Sequence, residues 1–255
     1  MSVRMAPVNA RTPEIRVFAT RAEMGATAAR DVAAELRHRL ASQKTVRIIF
    51  AAAPSQQEML AALAREPDID WAKVEAFHMD EYIGLATDAP QRFGLWLRAH
   101  IFDRLPFGAI HLIEPGDDPA ATASDYAGRL RAAPIDIVCL GIGVNGHLAF
   151  NDPPVADLDD PLDVKVVELD DVCRQQQVDD ECFATFADVP ETAITLTIPR
   201  LLDADRLFCV VPGKAKREAV RRALNDPMGE ACPATALRKH PACALYLDAG
   251  SNPNG

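Results

Sequence analysis

Two short segments concentrate side chains that can move protons. The first, Val74-Glu-Ala-Phe-His-Met-Asp-Glu-Tyr-Ile-Gly84, is an apolar run that ends in two adjacent carboxylates before a glycine. If the strand pattern persists to Glu81, alternation sends Asp80 and Glu81 to opposite faces and puts Asp80 on the face of His78. A carboxylate partly desolvated at a strand end can act as general base toward a proton alpha to a carbonyl. A polar strand terminus without chemistry accounts for the same residues.

The second segment is Cys139-Leu-Gly-Ile-Gly-Val-Asn-Gly-His-Leu-Ala-Phe-Asn-Asp-Pro-Pro154. Gly141, Gly143 and Gly146 satisfy G-x-G-x-x-G after a strand, the pattern of a dinucleotide loop. That reading fails because a full helix must follow at once, whereas Pro153 and Pro154 intervene, and because the motif lies mid-chain. The glycines are better suited to let backbone approach a small ligand. His147 follows the turn, and Asp152 is near enough to orient its ring and fix its tautomer, an arrangement suited to a proton shuttle near neutral pH.

Two further strand-to-helix junctions are candidates for anion contact. In Val210-Val-Pro-Gly-Lys-Ala-Lys-Arg217, three cations crowd a helix start that disfavours them, and a bound phosphate would resolve the conflict. Phe208 stands where a Walker loop requires glycine. In Phe50-Ala-Ala-Ala-Pro-Ser-Gln-Gln57, Ser55 is placed as a helix N-cap. A solvated basic turn and simple capping explain these two segments equally well.

Short β-branched runs at 15–19, 45–50, 135–140 and 207–211 alternate with helical patterns at 21–40, 55–65 and 214–224. Another helix is expected over 117–132, opening on acidic residues and Pro119. The alternation predicts an α/β fold: a doubly wound, mainly parallel sheet with helices on both faces. Ligands then bind outside the carboxyl ends of the strands, where strand order changes. We expect one domain over 1–255, flexible over 1–12. The acidic stretch 153–163 is expected to be a long loop and a candidate lid.

The formal net charge of −10 disfavours nucleic acid and anionic membrane as partners, leaving a small molecule. There is no signal-peptide core and no apolar run of membrane-spanning length, so a cytoplasmic protein is expected. The six cysteines contain no Cys-x-x-Cys pair, and the carboxylates lack calcium-loop spacing, so no metal is assigned.

Together the motifs resemble the glucosamine-6-phosphate deaminase family, which is related to the 6-phosphogluconolactonases. The likeness rests on Phe77 to Leu85, Gly141 to Pro153, Asp188-Val-Pro190 with Ala193-Ile-Thr-Leu196, Leu201 to Ala204, and Pro212 to Arg217. Leu148-Ala-Phe-Asn-Asp-Pro153 looks like the deaminase arm. The resemblance implies a Rossmann-like deaminase/isomerase fold, ring opening of an amino-sugar phosphate, C1/C2 proton transfer and loss of ammonia, a hydrolase-class reaction. Asp80 would move the C2 proton, His147 would open the ring, and Lys216 would hold phosphate; no metal or redox cofactor is implied. Asn145 and Asp152 would support His147, with Glu81, Ser55, Gly143 and Gly146 at the substrate.

The chain departs from the family pattern at several of these positions. Asn145 replaces the usual aspartate, Asp152 a glutamate, and Ala51-Ala-Ala-Pro-Ser-Gln56 a glycine-rich phosphate loop. The family's phosphate arginine aligns near Gln177, with Arg174 as a displaced substitute. A lactonase, using His147 as a base for water without Asp80, and a non-catalytic sugar-phosphate sensor remain alternatives. Oligomeric state is left open, a homo-oligomer included.

Overall fold

The computed structural model describes residues 13–255; the expected flexibility of 1–12 falls outside them. From the start of the described chain, β1 (Glu14–Phe18) leads into α1 (Arg21–Leu40). That helix begins with a reciprocal capping box, in which Thr20 Oγ1 accepts from the Glu23 amide at 3.1 Å and Glu23 accepts from the Thr20 amide at 3.3 Å. Then come β2 (Val46–Phe50), a 3₁₀ turn at Pro54–Gln56, and α2 (Gln57–Leu63). Two strands follow almost without a break, β3 (Val74–His78) and β4 (Asp80–Tyr82).

The middle of the chain supplies α3 (Phe93–His100), β5 (Ala109–His111), α4 (Pro119–Arg131) and β6 (Ile135–Leu140). Asp118 caps α4 by accepting from the Ala121 amide at 3.0 Å, with Pro119 in the first turn as expected. The remaining elements are β7 (Val164–Glu168), α5 (Asp171–Asp179), β8 (Thr192–Leu196), α6 (Ile198–Leu202), β9 (Ala204–Val211), α7 (Arg217–Asn225) and β10 (Cys243–Asp248).

Seven strands form one parallel sheet in the order β1-β10-β9-β6-β2-β3-β5. Its central strands β2 and β6 are apolar but for Arg47 and Asp136, because both faces are covered. Ile48 and Phe50 of β2 join a core with Met24, Ala28, Val32 and Leu36, the four-residue stripe of α1. Ile49 faces the opposite core, with Ala123, Tyr126 and Leu130 of α4. Each such side chain contributes roughly 1.5–3 kcal/mol on full burial. From β2 the chain builds outward through β3 and β5, then returns to place β6 on the other side of β2. The strand order therefore reverses between β2 and β6.

The doubly wound parallel sheet is the one expected, but a second sheet accompanies it. β4, β8 and β7 form a three-stranded antiparallel sheet, with Asp80 paired to Thr195, Glu81 to Ile194 and Tyr82 to Ala193. The strand expected to run on to Glu81 breaks at Met79, whose carbonyl accepts from the Leu196 amide at 2.8 Å. The stretch 153–163 is a loop, as expected. It is tied down by Lys165, which donates to the Val155 carbonyl and pairs with Asp160, each at 2.8 Å. None of its residues borders the cleft described below, so the lid expectation is not met.

Candidate active site

The carboxyl ends of β2, β3, β6 and β9 open into a cleft of about 570 Å³ at the reversal of strand order. At its centre, the turn after β6 is closed by the Gly143 amide donating to the His147 carbonyl and the Gly146 amide to the Gly143 carbonyl, both at 3.0 Å. Gly146 has φ +92°, and a Cβ there would come within 2.6 Å of Cys232 Sγ. A Cβ on Gly143 would fall 2.1 Å from His147 Nε2, so the imidazole occupies the space a side chain would need. Gly143 thus seats the ring, while Gly146 shapes the turn behind it and does not border the cleft.

Asp152 is fully buried, and its Oδ1 lies 2.7 Å from His147 Nδ1. Asn145 donates to that same oxygen at 2.9 Å and accepts from the His147 amide at 3.0 Å. The amide therefore braces both the carboxylate and the loop rather than gripping the ring. Burial pushes the Asp152 carboxyl up, but His147, Asn145 and Cys173 outweigh it and hold the group below the ordinary carboxylate value. An ionised Asp152 assigns the proton to Nδ1 and leaves the Nε2 lone pair facing Gly143 at the cleft.

Asp80 also borders the cleft, only 6% exposed. Burial, with repulsion from Glu81 and Asp152, raises its carboxyl well above the ordinary value, which makes the anion a stronger base. Glu81 points the other way, as alternation requires, and is not placed to touch a substrate. It accepts from the Tyr82, Phe93 and Gly94 amides at 3.0 Å each, closing the start of α3. Burial raises Glu81 to about 7, against the pull of those amides and Arg92.

His78 does not join Asp80, because the change of sheet at Met79 separates their faces. Its Nε2 accepts from the Ile113 amide at 2.7 Å, and burial, with Arg92, lowers it to about 3. It is a neutral structural histidine.

The far end of the cleft was the least legible in the sequence. Ser55 borders it but caps nothing: it lies inside the 3₁₀ turn after Ala53, with its hydroxyl accepting from Gln56 Nε2 at 3.3 Å. Of the three basic residues after β9, only Lys216 borders the cleft. Burial lowers its pKa, opposed by the nearby Asp180. Lys214 is exposed, and Arg217 donates to the carbonyls of Ala249 and Gly250 at the end of the chain.

Arg174 does not replace the missing arginine. Its guanidinium lies over the Phe186 ring at 4.2 Å and donates to the Val189 carbonyl at 2.9 Å, away from the cleft. Gln177 does border the cleft, joined by Gln176 and Asp180, which sequence reasoning missed. The signal was the i, i+4 spacing of these two on α5, one helical face, where Gln176 donates to Asp180 at 3.1 Å.

Among the described residues, His147, Asp152 and Cys173 bring their donor atoms within 4.8 Å of one another, all buried. As a metal set they fit poorly. His147 Nδ1 is committed to Asp152, and burial pushes the Cys173 thiol well above its ordinary value, which disfavours the thiolate a metal needs. The three fit a hydrogen-bonded chain.

A buried carboxylate and an oriented imidazole face one small cleft at the strand-order reversal of a parallel sheet, the place where α/β enzymes bind their ligands. The chain belongs to the glucosamine-6-phosphate isomerase/6-phosphogluconolactonase family, whose model matches residues 19–245. It is 35% identical over 188 residues to a glucosamine-6-phosphate deaminase of an Exiguobacterium species, covering 72% of this chain and 71% of the relative. It is 31% identical to one from Lactobacillus helveticus, covering 71% and 74%.

A solved monomeric glucosamine-6-phosphate deaminase superposes with a TM-score of 0.86 at 25% identity, over 93% of this chain and 98% of that one. A 6-phosphogluconolactonase from Shewanella baltica shares the fold, with a TM-score of 0.77 at 17% identity over 94% and 99%. No helix among the described residues is long and apolar enough to cross a membrane.

Proposed function

We propose that the chain converts an amino-sugar phosphate to a ketose phosphate with release of ammonia. The observation that carries this reading is that Asp80 and His147 border one cleft with separate supports, one a carboxylate of raised basicity and the other an imidazole with a free Nε2. His147 takes the proton of the C1 hydroxyl and delivers it to the ring oxygen, opening the ring. Asp80 then removes the C2 proton and returns it to C1. Between these two transfers the electrons left at C2 form a C1–C2 double bond, while the C1 oxygen takes a proton from the substrate's ammonium group. As C1 is protonated the nitrogen lone pair forms a carbon–nitrogen double bond, which water cleaves to a ketone and ammonia, so the last step is hydrolytic. Gly143 and Ser55 line the sugar's path, and Lys216 provides the positive charge for phosphate. A phosphorylated metabolite as substrate supports a cytoplasmic setting.

Asp80 also favours this reading over a lactonase. Lactone hydrolysis needs His147 as base for water but gives Asp80 no step. Asp80→Asn is expected to abolish ammonia and ketose formation from glucosamine 6-phosphate, a loss of at least about 100-fold, while calorimetry still detects binding. Unchanged turnover would sink the mechanism. Hydrolysis of 6-phosphogluconolactone with no ammonia from any amino sugar would establish the lactonase, and binding without turnover of either would establish a sensor.

A further inference from the structure

The far end of the cleft is built unlike a site for a dianion. Lys216 is the only cation among the described residues that border it, and Asp180 borders the same cleft close enough to act on that lysine. The arginine that could have added charge is turned onto Phe186 and Val189. The other side chains at this end are neutral: Ser55, Gln56, Gln176 and Gln177. Gln56 is 1% exposed, and its Nε2 donates to the Val210 carbonyl at 3.1 Å, which fixes the amide with Oε1 as the acceptor. That Oε1 has no hydrogen-bond partner in the protein.

A buried acceptor without a partner is satisfied by a donor such as a sugar hydroxyl, and a phosphate dianion, which carries acceptors only, cannot supply one. The Asp180 carboxylate is held in place by Gln176, whose Oε1 in turn accepts from the Val144 amide at 2.9 Å. The negative charge is therefore anchored to the same turn that carries His147.

We propose that Asp180 is a specificity-determining residue that offsets Lys216, so that the cleft requires no phosphate and an unphosphorylated 2-amino sugar is a second substrate. The inference rests on the deaminase reading and concerns which sugars reach its chemistry. Asp180 opposes a phosphate by like charge, while Gln56 and Ser55 offer a hydroxyl terminus the hydrogen bonds that a phosphate would otherwise take up with cations.

The test is the ratio of kcat/KM for ammonia release from glucosamine 6-phosphate to that from glucosamine. In the native chain the ratio is expected below about 100, where a site with two or three charge-assisted contacts to phosphate gives roughly 1000 or more. Asp180→Asn keeps an acceptor for Gln176 and removes the charge, and is expected to raise the ratio about tenfold through a lower KM for the phosphorylated sugar. Lys216→Ala is expected to lower the ratio. The far-ultraviolet spectrum and Tm of each variant report that it has folded.

A native ratio above about 100, or a ratio unmoved by Asp180→Asn, overturns the proposal. If neither sugar yields ammonia, the deaminase reading fails separately, and the same ratio taken from dissociation constants by calorimetry decides the role of Asp180 by the same two criteria.

Discussion

Asp80 carries a cost in stability that its surroundings do not relieve. Its carboxyl is raised above the ordinary value by burial and by two neighbouring carboxylates. A group whose folded pKa is raised favours the folded state below its unfolded pKa, and that contribution is lost as pH rises through the folded pKa. Above the ordinary carboxylate range, where the unfolded chain would be ionised, holding this group in the fold therefore costs stability, and Asp80→Asn is expected to raise Tm at pH 8 while it removes turnover. A chain of this length gains about 2–4 °C per kcal/mol relieved. Thermal unfolding at pH 8 and pH 4 checks the sign: the advantage of the variant should shrink at the acid end. At this scale the sequence was informative where chemistry is local. Asp152 lies five residues from His147, and their bond was foreseeable from that spacing. The fates of Arg174 and Asp180 depend on how α5 is rotated over the cleft, which no neighbouring residue dictates.

Among the elements, the turn after β6 has the tightest tolerance. The imidazole lies where a Gly143 side chain would go, so Gly143→Ala must displace either the ring or the backbone. A displacement of about 1 Å at a proton-transfer group costs on the order of 100-fold in rate. We expect kcat to fall by that much with an unchanged far-ultraviolet spectrum; retention of native kcat would show that the ring has another seat. The strand before this turn, β6, and its neighbour β2 were legible because both are nearly continuous apolar runs. The break between β3 and β4 was not. No glycine or proline marks a break at Met79, and what turns the chain into another sheet is its pairing with Thr195 to Ala193, more than a hundred residues away.

Over the whole molecule, the two sheets are joined by aromatic packing that reaches the wall of the cleft through Phe93 and Phe150. The Tyr82 ring lies 4.7 Å from Phe93 and 5.3 Å from both Phe150 and Phe183, and Phe150 stacks on Phe93 at 5.6 Å. Phe150 also donates its amide to Thr195 Oγ1 at 3.1 Å, joining the histidine loop to β8. Phe150→Ala is expected to destabilise the protein by about 3–5 kcal/mol, read from the midpoint of urea unfolding. A loss under about 1 kcal/mol would show that the cluster closes over the gap. The seam has a further consequence. Asp80 is mounted on the antiparallel sheet and His147 on a loop of the parallel one, so the span between them is set like the jaws of a caliper, by how one sheet rests on the other. Ile194 and Leu196 of β8 share a core with Leu130 of α4, and none of the three borders the cleft. A change of side-chain volume there is expected to reset the gap between Asp80 and His147, and with it the size of molecule that fits between them, without altering a single residue that borders the cleft.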